Sequence, residues 1–399
     1  MHSQQPVPAN GQRNTNQQAG NTGAAKTHSP DSLGQPDPLD PLLRGVDRVQ
    51  ASLDRNQHLA FKASYTFLGQ YAVTAPGRHD QFSGRLDFQG VWTFHQRASR
   101  DPTHPDQSTL NLLLRSGTNI GRSQQWDLSD ALGSGLGTNS LQGGGAQRPI
   151  MINLLYFKQT WDAQKVALYV GKLHPNQHIG LSPVNNDESA QFLAGPFDGN
   201  PAQNKLGTYA PGIALEVGPP NGFYAHALAI DAKANPWNGT QTIADGRYYE
   251  AIETGWKRGT QGEGGRDIRF AYYHQNPPNL GHGHGVGVGA DWEFKDHWMP
   301  FLRIGLDTRT GTAIKEDDTA GIAHVLPFGR KGDMFGAAST WTRSSKPGAR
   351  REEVTEFFYR LKVADSLELS PDIEWLRDPT LSTKINESVL LGLRLKVIF

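Results

Sequence analysis

The sequence predicts an all-β chain: a transmembrane antiparallel β-barrel of about sixteen strands over residues 58–399, behind a disordered polar and Pro-rich N-terminal segment, residues 1–50. Three observations predict it. Short runs of alternating apolar and polar residues recur from His58 to the last residue. Their number is even. The connectors between them are alternately tight and long. Period-2 alternation is the mark of a strand with two differently solvated faces.

The last strand shows this most clearly. Val389, Leu391, Leu393, Leu395, Val397 and Phe399 fall on one face, and Leu390, Gly392, Arg394, Lys396 and Ile398 on the other. An apolar row beside a charged row, ending on a terminal aromatic, fits lipid outside and water inside. Phe82, Leu86, Phe88, Trp92 and Phe94 alternate in the same way with Arg85, Asp87, Gln89, Thr93 and His95. So do Phe357, Tyr359 and Leu361 with Glu356, Arg360 and Lys362, and Leu367, Leu369 and Ile373 with Glu368, Ser370 and Asp372. A soluble sandwich also alternates, and connector length separates the two folds. The strands are expected at 58–74, 82–95, 108–117, 149–159, 163–171, 207–217, 222–230, 247–257, 266–275, 284–294, 298–307, 320–327, 333–342, 352–363, 366–375 and 388–399. Connectors after even strands are then tight (Thr160–Asp162, Gly218–Asn221, Lys295–His297, Ala364–Asp365), and several after odd strands are long. Bacterial single-chain barrels have an even strand count, short turns on one rim and long loops on the other.

The N-terminal block is rich in Gln, Asn, Pro, Gly and Thr and buries too little apolar surface to offset its chain entropy; a short helix is expected near Leu42–Leu53. The opening MHSQQPVPANGQ has no basic start and apolar core of an export leader. Lys and Arg total 39 against 39 Asp and Glu, so no basic face points to nucleic acid. The absence of Cys excludes a thiol nucleophile, a disulfide framework and a Cys-ligated zinc site. No stretch is long and apolar enough for a membrane helix. GHGHG (Gly281–Gly285) reads as a Gly-rich turn with exposed His rather than a metal site. GVGVGA (Gly285–Ala290) reads as a strand whose glycines allow close backbone approach. GLGTNSLQGGG (Gly135–Gly145) reads as flexible loop. Neither a metal nor a cofactor is expected.

Several stretches resemble the carbohydrate-selective, OprB-like porins. They are LLYFKQTW (Leu154–Trp161), LYVGKLHPNQHIG (Leu168–Gly180), QFLAGPFDGNP (Gln191–Pro201) followed by Tyr209-Ala-Pro, and above all EEVTEFFYRLKVADSLELSPDIEWLRDP and VLLGLRLKVIF at the end. The resemblance covers residues 60–399 and is best over the last 50. It implies a passive channel in the cell outer membrane for monosaccharides and related polyols. It also implies the lipid bilayer and the barrel-assembly machinery as partners, a possible homo-oligomer, and a terminal Phe399 that serves assembly.

A sugar channel needs charged or amide groups that exchange hydrogen bonds with hydroxyls, and its binding must stay weak enough for release. Alternation points Arg85, Asp87, Arg115, Arg269, Tyr273, Asp291, Glu293, Arg303, Asp307, Glu352, Glu356, Arg360, Glu368, Asp372, Glu374, Arg394 and Lys396 inward. Facing rows of opposite charge keep such a pore polar and near neutral; the bland reading is a solvated salt-bridged lining without selectivity. The segment Lys172–Leu206 is long for a connector and carries Phe192, Leu193, Pro196 and Phe197, so it is expected to fold into the barrel as a constriction, with Lys172, Asp187 and Glu188 as its polar groups; an external lid is the other reading. Three other functions compete: a general or anion-preferring porin, a soluble β-rich carbohydrate-binding protein, and a barrel enzyme. For the last, no G-x-S-x-G element or triad is found.

Overall fold

In the computed structural model, residues 37–399 are described, apart from 102, 121–126, 143–149, 200–201, 203–208, 235–238, 277–281, 309–313 and 345–347. Sixteen antiparallel strands close into one barrel, each paired with its neighbours in sequence and the last with the first. They are β1 (Leu59–Ala72), β2 (Asp80–Arg97), β3 (Asp106–Asn119), β4 (Met151–Trp161), β5 (Val166–Leu173), β6 (Ala210–Val217), β7 (Gly222–Asp231), β8 (Tyr248–Arg258), β9 (Arg266–Gln275), β10 (Gly283–Trp292), β11 (Trp298–Asp307), β12 (Glu316–Val325), β13 (Met334–Arg343), β14 (Glu353–Ala364), β15 (Leu367–Arg377) and β16 (Glu387–Ile398). Closure joins Ser64 to Ile398 and Ala72 to Leu390 across the β1–β16 seam. A closed ladder leaves no unpaired strand edge, which lipid could not solvate.

All sixteen expected strands are present, most within three residues of their expected ends. β12 is the main shift. It begins at Glu316 because the acidic run is paired strand, with Asp317 turned inward to accept the Thr340 hydroxyl (2.8 Å). Two corrections fall at the N-terminal segment. An 18-residue helix, α1 (Asp40–Gln57), occupies the end of what composition marked as disordered and runs beyond Leu42–Leu53; the earlier part of that segment lies outside the described residues. α1 is fastened to the short-turn rim. Asp37 accepts from the Ser366 hydroxyl (2.6 Å) and amide (2.8 Å), and the Gln50 side chain donates to the Phe399 carbonyl (3.3 Å).

Along each strand one row is exposed and apolar, for example Phe82, Leu86, Ile252, Phe270, Leu302, Phe357, Leu391 and Leu393. The opposite row is buried and largely polar, which inverts a soluble protein and removes the soluble-sandwich reading. A charge on the outer row is therefore costly. Leu302→Arg, midway along β11, is expected to lower folding stability in lipid vesicles by about 2–4 kcal/mol, read by urea titration. An unchanged midpoint would place that row away from lipid. At the chain end, the Phe399 amide donates to the Ala63 carbonyl (2.9 Å) across the seam. Deleting Phe399 should reduce the yield of closed, heat-modifiable barrel in cells; equal yield would remove its assembly role.

Candidate functional site: the barrel lumen

Of the β5–β6 connector, residues 174–199 and 202 run inside the barrel, and the charged inner wall holds them there. Glu356 on β14 accepts the backbone amides of Leu193 (2.7 Å) and Ala194 (2.9 Å). Arg394 donates to the Glu188 carbonyl (2.8 Å), Lys396 to the Ser189 hydroxyl (2.7 Å), Arg303 to the Pro196 carbonyl (2.5 Å), and Arg360 more distantly to the Ala190 carbonyl (3.4 Å). All but the Lys396 bond satisfy a loop backbone group that burial would otherwise leave unpaired. Phe192 is the apolar anchor, packed on Phe197 and Phe358 (centroids 4.8 Å each) and edge-on to Phe301 at 5.8 Å.

A second connector folds inward beside it. The β3–β4 segment carries a single helical turn, α2 (Ser129–Leu132), and packs residues 135–142 against the first loop. The Ser140 amide donates to the Leu193 carbonyl (2.9 Å), and the Gly195 amide to the Gly137 carbonyl (3.0 Å). A Cβ on Gly195 would lie 2.1 Å from the Leu136 carbonyl oxygen, so this crossing requires glycine. The wall also grips this loop: Gln70 donates to the Thr138 carbonyl (3.0 Å) and Arg85 to the Leu141 carbonyl (2.7 Å). The flexible reading of Gly135–Gly145 is thus corrected over 135–142, and 143–145 lie outside the described residues.

Most residues expected inside are inside, in three settings. Arg85, Asp87, Arg115 and Glu188 form a ring of alternating charge. Arg85 meets Asp87 at 2.7 Å and Glu188 at 2.5 Å; Arg115 meets the same two carboxylates at 3.2 and 3.3 Å and donates to the Tyr209 hydroxyl at 2.7 Å. Glu356, Asp372, Glu374, Arg360, Arg394 and Lys396 line β14, β15 and β16, which continue the wall beyond β1, with Glu368 in register between Lys362 and Lys396. Nitrogen atoms of Arg303 and Arg394, each at most 2 % exposed, have no hydrogen-bond partner among the described residues. Arg269 pairs with Asp291 at 2.5 Å.

One residue is placed differently from expectation, and three sit where expected but with partners that the sequence did not show. Lys172 belongs to β5, not the loop. It shares the outward parity of Val170 and donates to the Ile152 carbonyl (2.6 Å), because the strand runs two residues further than its apolar pattern suggested. Glu352 precedes β14 and clamps loops together, accepting from the Gly135 amide (2.8 Å), the Thr380 amide (2.9 Å) and the Ser134 hydroxyl. Tyr273 is fully buried, its hydroxyl donating to the Ala202 carbonyl (2.7 Å). Asp187 stays within its own turn, accepting from Ser189 amide (3.0 Å) and hydroxyl (2.6 Å).

A match to the family described as "Carbohydrate-selective porin, OprB family" covers residues 107–297 and 285–399, well over half of the chain. The chain belongs to the OprB family of carbohydrate-selective porins. Among solved structures it is similar to OprB of Pseudomonas putida at high pH, with a TM-score of 0.72 and 13% identity over 94% of this chain and 100% of that one. The low-pH structure of the same protein gives 0.55 and 12% over 90% and 97%. No curated protein matches. Family and barrel together make this an outer-membrane carbohydrate channel, and they imply transport rather than enzymatic chemistry.

The sequence reading missed the inner rows of β4–β8, where the same alternation points Tyr156, Lys158, Tyr169, Glu216, Tyr224, His226, Glu253 and Lys257 inward. It also missed Phe358 and the second loop. Phe358 was concealed because an inward aromatic breaks the simple equation of apolar with outside.

Proposed function

We propose that small neutral sugars of monosaccharide size diffuse through the lumen past the infolded loops, and that Arg85, Asp87, Arg115, Glu188, Arg303 and Arg394 exchange hydrogen bonds with their hydroxyls. The observation that carries this reading is the ring of two arginines and two carboxylates. Its charges cancel at close range, so it offers strong donors and acceptors without holding an ion. Glu356, Arg360 and Lys396 position the loop, and Asp372 and Glu374 complete the polar wall. Liposomes carrying the protein should swell faster in glucose than in gluconate or an amino acid of similar size. Equal rates for all three would reduce the channel to an unselective one. The buried N–H groups of Arg303 and Arg394 that meet no partner among the described residues favour a second reading, an anion-preferring porin; a reversal potential displaced toward the anion under a salt gradient would establish it. Assembly into a homo-oligomer through the apolar outer row, and insertion by barrel-assembly machinery that reads Phe399, belong to the same proposal.

A further inference from the structure

The short-turn end of the barrel contains a cavity of ≈ 250 Å³, under the inward loop. Small-molecule pockets are usually roughly 300–1,000 Å³, so this one suits a small solute. Lys165, Gly218 and Gly259, from the turns that follow β4, β6 and β8, line it on one side, and His178 and Ser182 of the loop line it on the other. It therefore lies between the loop and the short-turn mouth, apart from the charged ring on β2 and β3.

Two sets of the same three side-chain types line this cavity. Tyr169 donates to Glu216 (2.8 Å) and carries the Lys158 ammonium over its ring at 5.2 Å. Tyr224 donates to Asp267 (3.0 Å) and Glu253 (3.4 Å) and carries the Lys257 ammonium at 4.8 Å. His178, only 3 % exposed, stands edge-on to Tyr169 with its Nδ1 bonded to Glu216 at 2.9 Å. An ionised carboxylate only accepts, so Nδ1 donates to Glu216 and leaves Nε2 as the ring's second polar atom. No partner reaches that Nε2 from the described residues. A buried polar atom is nearly always met by something.

We propose that this cavity is a second binding station for a neutral polyol or monosaccharide, reached from the short-turn side. His178 Nε2 shares a hydrogen bond with one solute hydroxyl, Glu216 accepts a second, and the Lys158 ammonium donates to a solute oxygen. The lining carries four carboxylates and four Lys or Arg side chains, so its formal charge cancels and it favours an uncharged solute. The station rests on the reading of the chain as a carbohydrate channel.

The test uses the full chain inserted in one direction in planar bilayers, with glucose added to one side at a time. His178→Phe should weaken glucose block from the short-turn side about fivefold, the loss of one hydrogen bond, and leave block from the long-loop side unchanged. Lys158→Met should weaken it similarly and serves alone if His178→Phe does not insert. If an inserted variant keeps wild-type affinity from the short-turn side, the cavity holds water only and the station is overturned while the channel reading stands. If the wild type conducts but glucose blocks from neither side, the carbohydrate reading falls and the station with it.

Discussion

Glu356→Ala should raise single-channel conductance, increase current noise and weaken sugar block, with the barrel intact. The carboxylate is fully buried and accepts two consecutive loop amides. Removing it strands two buried N–H groups, each costing about 1–3 kcal/mol. A total near 3 kcal/mol moves a held-to-released ratio by roughly a hundredfold, since about 1.4 kcal/mol is tenfold. The wall keeps its ladder, because only a side chain changes. Glu356→Gln retains one acceptor oxygen and should fall between wild type and alanine. Heat-modifiability on gels checks the barrel and planar-bilayer recording checks the loop; wild-type conductance and block in the alanine variant would show that the loop is held by other contacts.

Gly285→Ala should fail at assembly. A Cβ there would lie 2.0 Å from the Leu306 carbonyl oxygen and 2.3 Å from the Tyr273 hydroxyl. The first is backbone of the paired strand, which cannot recede without breaking the β10–β11 ladder. Overpacking of this kind costs about 3 kcal/mol. Refolding yield in detergent measures it, with Gly90→Ala as control, since its nearest atom would be 3.9 Å away. Equal yields from both would contradict the clash. Gly289 is different: a Cβ there meets the Arg269 side chain at 2.5 Å, so alanine would displace that guanidinium from Asp291 rather than the backbone. The alternating glycines of β10 thus make room for two long side chains of β9.

The wall was legible because membrane physics writes it in period 2: lipid demands an apolar row and the lumen tolerates a polar one. That logic placed Arg394 and Lys396 opposite Leu393 and Leu395 from sequence alone. It reached the inward loop through length and its aromatics. It failed where a residue's partner lies far along the chain. Nothing local marks Glu352 as a clamp on Gly135 and Thr380, or shows that 135–142 packs against Leu193. Lys172 was misplaced by a two-residue difference in strand length, which also sets the face a side chain takes.

The interlocked loops also separate two traits that evolution can then change independently. Strand number and register set the diameter of the cylinder, and altering either requires many coordinated changes around the ring. The width left for a solute is set by connector residues that leave every inter-strand bond in place. A substitution near Gly195 or Phe192 can retune passage in one step, so relatives of equal girth are free to diverge in diet.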